Sequence, residues 1–197
     1  GSVSDINAGI QWVIDNKSAL GIEIINMSLG GTGCSDGTDS LSLMVNSAVA
    51  SGIAVTLAAG NEGPGTCTIS SPAAAADAIT VGAMADVQPG TSSLDGYCDA
   101  SSLTTDLPNA GFYLACFSSR GPTADGRTKP DIASPGVQIM AAQAGTTSGY
   151  VSYNGTSMAS PFTAGVAALM LDANPSLTPA QIKSMLKSTA KDWGPSG

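Results

Sequence analysis

Three short apolar runs rich in β-branched side chains, residues 22–28, 53–58 and 78–84, are interleaved with two stretches of helical periodicity. In residues 3–16 the apolar positions Ile6, Ile10, Val13 and Ile14 recur at spacings of three and four, with Ser4 ahead as a candidate N-cap. Residues 40–51 carry Leu41, Leu43, Met44, Val45, Ala48 and Val49, and Gly52 supplies a stop. Runs that are apolar on both faces read as buried parallel strands, and strand–helix–strand order demands crossovers. The expected class is α/β, with a parallel sheet and right-handed crossovers.

Composition agrees with a packed domain. Of 197 residues 43% are hydrophobic and 11% charged, the reverse of a disordered chain. The net charge of −8, with seven scattered Lys and Arg, argues against nucleic acid as a partner. No apolar run is long enough to cross a membrane, and the start has no signal-peptide pattern. One domain over residues 1–197 is expected, interrupted at 85–117 by a Gly-, Ser- and Asp-rich excursion too short to be a domain. Trp12 and Trp193 read as packing residues.

Four cysteines, Cys34, Cys67, Cys98 and Cys116, allow three pairings. Cys34–Cys67 and Cys98–Cys116 are expected, each bracketing one loop system, with four free thiols as the alternative. An even cysteine count and little Lys suit an exported protein. The absence of any C-x-x-C pair and of histidine disfavours a zinc site.

In open parallel sheets ligands gather beyond the carboxyl ends of the strands. Three glycine-rich loops lie at or near such ends: residues 29–33, residues 59–65, and the turn Asn154-Gly155-Thr156-Ser157. The last runs into an Ala- and Leu-rich helix, where unpaired N–H groups and the positive dipole end would favour an anion. Ser157 there is either a nucleophile or, with Thr156, an ordinary N-cap. Pro161 is placed in the first turn, where proline is tolerated. Asn61 is either a side-chain oxyanion donor or a turn residue. Gly31-x-Gly33 weakly echoes a nucleotide-binding loop. Further on, Thr178, Pro179 and Gln181 have capping-box spacing before a helix with apolar Ile182, Met185 and Leu186.

The octapeptide Asn154-Gly155-Thr156-Ser157-Met158-Ala159-Ser160-Pro161 resembles the nucleophile motif of the subtilisin-like serine proteases. Ala58-Ala59-Gly60-Asn61-Glu62-Gly63 resembles that family's oxyanion segment, and Ile25-Asn26-Met27-Ser28-Leu29-Gly30-Gly31 its substrate-binding strand. The resemblance implies a three-layer subtilisin-like fold lacking its N-terminal part. It implies Ser157 as nucleophile, Asn61 with the Ser157 N–H as oxyanion donors, and Ser28, Leu29 and Gly30 pairing with an extended peptide. Ala58, Gly60 and Gly31 would line the pocket for the residue before the scissile bond. That pocket of small residues favours apolar side chains.

The family's histidine and aspartate belong to segments preceding the first helix, and no residue here replaces them. The implied activity is therefore peptide-bond hydrolysis through an acyl-enzyme, with the base supplied from elsewhere. The alternative is an inactive peptide-binding module. Expected partners are a peptide substrate and either the missing N-terminal segment or a second copy, since a truncated sheet exposes an edge. No cofactor is expected in this chain. The resemblance implies calcium only for the complete domain, its strongest site resting mainly on N-terminal segments, with a weaker cation site conceivable at the carbonyls of residues 73–78. The family implies an extracellular location.

Overall fold

A computed structural model describes residues 1–87 and 111–191. Helix α1 (Val3–Leu20) is longer than its periodic stretch, and its cap lies two residues earlier than expected. Its N-cap is Ser2, not Ser4; Ser2 and Asp5 form a reciprocal capping box, and Gly21 closes the helix in the left-handed conformation. Strand β1 (Ile24–Met27), helix α2 (Ser40–Ala50), strand β2 (Ala54–Ala58) and strand β3 (Ile79–Val87) follow. Beyond them come β4 (Gly111–Leu114), β5 (Ile132–Pro135), β6 (Ile139–Ala142), β7 (Tyr150–Tyr153), α3 (Thr156–Ala173) and α4 (Pro179–Thr189).

The sheet is mostly parallel. β1 pairs with β2, β2 with β3 and β3 with β5, all parallel, and only β4 runs against β3. Val81 of β3 faces both Ala58 and Ile132, while Met84 faces both Leu114 and Pro135, so β4 continues the β2 edge beyond that strand's end. Strand β5 was not expected. A segment reading Asp-Ile-Ala-Ser-Pro has too few apolar residues to announce a strand, and its pairing with β3 is decided by tertiary contact. The hairpin of β6 and β7 stands apart as a second small sheet.

Alternation along β1 and β2 sends side chains to two different cores. Ile25, Met27, Val55 and Leu57 pack with α1 and α2. Ile24, Ala54, Val81 and Ala83 pack with α3 and α4, where Ile182 and Leu186 are buried. Met185 is exposed on the other side of α4. Trp12 is a correction as well: it lies on the outer face of α1 and is 56% exposed. Trp193 lies outside the described residues.

Cys34 and Cys67 are bridged, tying the loop after β1 to the loop after β2. Cys98, and with it the second expected pairing, lies outside the described residues. So does most of the 85–117 excursion, although β3 and β4 form its two described arms.

A charge cluster fastens β5 and α4 to the sheet. Asp131, with a side chain 3% exposed, accepts from Lys129 Nζ at 2.6 Å and from the Thr80 N–H at 2.9 Å. Lys183 lies 3.3 Å and Lys187 3.6 Å from its other oxygen. Burial acts to raise the Asp131 pKa, but Lys129, Lys183 and the Thr80 amide outweigh it and hold the carboxyl below the usual range. Burial pushes Lys129 down to about 8, against the pull of Asp131, so both are charged at neutral pH.

The lysines also occupy the carbonyls considered for a cation. Lys183 Nζ donates to Ala76 and Ala78, Lys129 Nζ to Ala78, and Thr80 Oγ1 to Ala73. In residues 73–78 the Ala76 and Ala78 oxygens are thus held by ammonium groups and the Ala73 oxygen by a hydroxyl.

Asp131→Asn should destabilise the chain at pH 7 by about 3–5 kcal/mol, since it strands buried lysines without their counter-charge. A depressed carboxylate contributes stability that is lost as pH falls through its folded value. The gap between parent and variant, read from urea midpoints, is thus expected to be full at pH 7 and to shrink below about pH 4.

Candidate active site

Helix α3 begins with no side chain of its own as a cap: the N-cap is Gly155. The N-cap reading of Ser157 and Thr156 is therefore set aside, for they occupy the first two helical positions. The cap comes from another loop. Asn61 Oδ1 accepts the Thr156 N–H at 3.0 Å and the Thr156 hydroxyl at 3.0 Å. Thr156 Oγ1 in turn accepts the Gly60 N–H at 3.1 Å. Thr156 is fully buried, so this clamp holds the loop after β2 against the head of α3.

Local sequence makes the approach possible. Gly60 has φ of +109°, a conformation side chains rarely adopt, and it aims Asn61 back at α3. Gly136, just after β5, receives the Gly155 N–H on its carbonyl at 2.8 Å. A Cβ on Gly136 would fall 2.7 Å from Ala83 Cβ and 2.8 Å from the Gly155 oxygen. Glycine is required there for the turn before Ser157 to reach the sheet.

With its oxygen committed to Thr156, Asn61 turns Nδ2 outward, and among the described residues that group has no acceptor. The Ser157 N–H is unpaired as well, as expected of a first-turn amide, whereas Met158 N–H reaches the Gly155 carbonyl. Asn61 Nδ2, Ser157 N and Met158 Sδ each lie 3.6 Å from the position a Cβ on Gly155 would take, so the two donors are neighbours across the Gly155 turn. Ser157 Oγ has no hydrogen-bond partner among the described residues, and no imidazole exists in the chain to provide one.

One cleft of about 320 Å³ gathers every residue singled out for substrate or catalysis. Ser28, Leu29, Gly30 and Gly31 form one wall, Ala58, Gly60 and Asn61 another, and Ser157 the head. Leu29 and Gly30 are exposed with no backbone hydrogen bonds among the described residues, while the Gly31 N–H is tied to Ser71 O.

The same cleft includes three residues not assigned a place in it beforehand: Thr156, Ser70 and Glu62. Ser70 Oγ donates to the Gly31 carbonyl at 2.6 Å. Glu62 is the one charged side chain of the lining, and its Oε2 accepts the Gly33 N–H at 3.4 Å. Its position beside Asn61 in sequence was the available signal.

Pro161 is not in the first turn. It is the sixth residue of α3, where it lacks the N–H that would bond to the Ser157 carbonyl. The nucleotide-loop echo at Gly31-x-Gly33 also fails. Asp39 caps α2 through the Leu41 and Ser42 amides, so a carboxylate already sits where a phosphate would bind. Burial opposes that charge, but the Ser71 and Ser42 hydroxyls and the two amides hold its pKa below the usual value.

The chain matches a family model described as Subtilase family over residues 1–197. It is 38% identical over 212 residues to serine protease AprX of Bacillus subtilis (strain 168), covering 98% of this chain and 44% of that protein. It is 38% identical over 198 residues to a subtilisin of Bacillus pumilus, covering 100% and 58%. Among solved structures, Sphericase superposes with a TM-score of 0.75 at 31% identity over 96% of this chain and 56% of that one. The S41 psychrophilic protease gives 0.73 at 28% over 95% and 55%. The chain spans about half the length of these relatives.

Thr156→Val keeps shape but leaves the Gly60 N–H without an acceptor. It should cost about 1–3 kcal/mol in a denaturant titration and shift the Asn61 side-chain amide resonance, as expected for a buried donor stripped of its partner.

Proposed function

Because this chain belongs to the subtilase family, we propose that it supplies the nucleophile, oxyanion donors and substrate cleft of a serine endopeptidase. The proton acceptor and its orienting carboxylate come from outside these residues. The observation that carries this reading is the pair of unpaired donors, Asn61 Nδ2 and Ser157 N–H, beside an unpaired Ser157 hydroxyl at the head of α3.

Ser157 Oγ attacks the peptide carbonyl and its proton passes to the imported imidazole. The carbonyl oxygen, now an oxyanion, is held by Asn61 Nδ2 and the Ser157 N–H. The C–N bond breaks, the amine leaves with the proton, and water hydrolyses the resulting ester by the same route. Leu29 and Gly30 offer free backbone groups to an extended peptide, in the manner of an added strand.

The place for the missing groups is the open edge of β1, which has no strand partner among the described residues. Ser28 and the Ser157 turn lie next to that edge. On α3, which packs against β1, Leu169 is 70% and Phe162 53% exposed. A segment bearing a strand, or a second copy of the chain, would cover this surface. The family reading carries an extracellular location with it, in keeping with the Cys34–Cys67 bridge. Among the described residues no helix is long and apolar enough to cross a membrane. Calcium binding is assigned to the complete domain.

A second reading is favoured by one observation, the absence of histidine: a module that holds peptides without cutting them. Peptide hydrolysis separates the two. The chain alone should show only residual turnover, and adding the N-terminal half of a complete subtilase should restore serine-inhibitor-sensitive cleavage. Tight peptide binding without cleavage in that mixture would favour the module. Efficient turnover by the chain alone would contradict the imported base.

In the assembled enzyme Asn61→Ala should lower kcat by about 10²–10³-fold, a magnitude known from the same type of donor in a subtilisin. Glu62→Gln should weaken peptides with Lys or Arg in the cleft about two- to fivefold relative to neutral ones, the range for an exposed ion pair. Equal effects on both peptides would place that carboxylate outside substrate contact.

A further inference from the structure

The carbonyl of Ser157 is in an unusual position for a helical residue. Its regular partner would be the N–H of residue 161, but Pro161 has none, and a proline ring crowds the carbonyl four residues before it. The bond is made elsewhere: Ser28 Oγ donates to Ser157 O at 2.8 Å, across 129 residues.

The Ser28 hydroxyl is directed by a chain of donors that all run one way. Ser160 Oγ, at 2.7 Å, and Thr56 Oγ1, at 3.2 Å, both donate to Asn26 Oδ1. Asn26 Nδ2 then lies 3.1 Å from Ser28 Oγ. With Asn26 donating to its oxygen, the Ser28 proton is left for Ser157 O. Ser160 and Thr56 are fully buried, so the relay is anchored at its far end. It links β1, β2 and α3, and it starts and ends on the first turns of the same helix.

We infer that Ser28, oriented by Asn26, is a positioning residue that replaces the helix hydrogen bond removed by Pro161 and so fixes the backbone from which the Ser157 hydroxyl and N–H project. This role is separate from the pairing of the substrate with the backbone around Ser28, and its importance for catalysis rests on the protease reading. The hydroxyl matters because Pro161 is present; an N–H at position 161 makes it redundant.

That conditional is the test, made by NMR on the full chain, with no hydrolysis required. In Ser28→Ala the Ser157 carbonyl ¹³C resonance should move, and the Met158 and Ala159 amides should exchange about tenfold faster, as for loss of one hydrogen bond. Ser28→Thr should behave as the parent. In a Pro161→Ala background, the same Ser28→Ala change should leave both signals in place. An unmoved Ser157 carbonyl in Ser28→Ala, or an equal response with and without Pro161, would overturn the inference. A mixture with the N-terminal half of a complete subtilase that binds peptide without cleaving it would refute the protease reading and leave this coupling standing.

Discussion

Thr156 is the hinge on which the site depends. Its N–H and hydroxyl both go to Asn61, and its oxygen also receives the Gly60 N–H. Two loops far apart in sequence thereby become one surface. A self-capped helix would have spent its first amides on its own Ser or Thr. Here Gly155 precedes the helix and leaves that task to Asn61. The exchange turns the Asn61 Nδ2 outward and leaves the Ser157 N–H unpaired, two donors available for negative charge.

The rest of the fold holds that arrangement from behind. Parallel pairing of β1, β2 and β3 brings the loops after β1 and β2 to the same end of the sheet. The Cys34–Cys67 bridge joins them beyond the cleft. On the far side, three of the seven Lys and Arg converge on Asp131. An isolated ammonium would be costly in that setting, and the shared carboxylate with carbonyls of residues 76 and 78 makes it tolerable. The cluster pins β5, from whose end the turn before Ser157 is suspended through Gly136.

What the sequence made legible follows from how local each signal was. The strand at 54–58, buried throughout, was readable because burial on both faces requires a near-continuous apolar run, and that at 24–27, only partly buried, was readable from its β-branched pair Ile24 and Ile25. The capping box at Thr178 and Gln181 was readable because its partners are three residues apart. Ser157, Asn61 and the residues proposed to face a peptide were located by motif, and the fold gathers them in one cleft. Strand β5 was hidden because its only support is pairing with β3. Trp12 was misplaced because aromatic character does not say which face of a helix turns inward. Pro161 was assigned to the wrong turn because the helix start was ambiguous until Gly155 was seen to be its cap. Contacts spanning 95 or 129 residues, such as Thr156 with Asn61 and Ser28 with Ser157, leave no periodic trace in a sequence.

The account stands on two donors acting on one spot. A cleaved-product peptide, ending in a free carboxylate, is an anion of the right shape to occupy it. Titrating such a peptide into ¹⁵N-labelled chain should shift the Asn61 side-chain amide and the Ser157 backbone amide together, along one binding curve, with the corresponding peptide amide shifting them far less. Separate curves for the two signals, or a carboxylate that moves neither while the peptide binds, would contradict it.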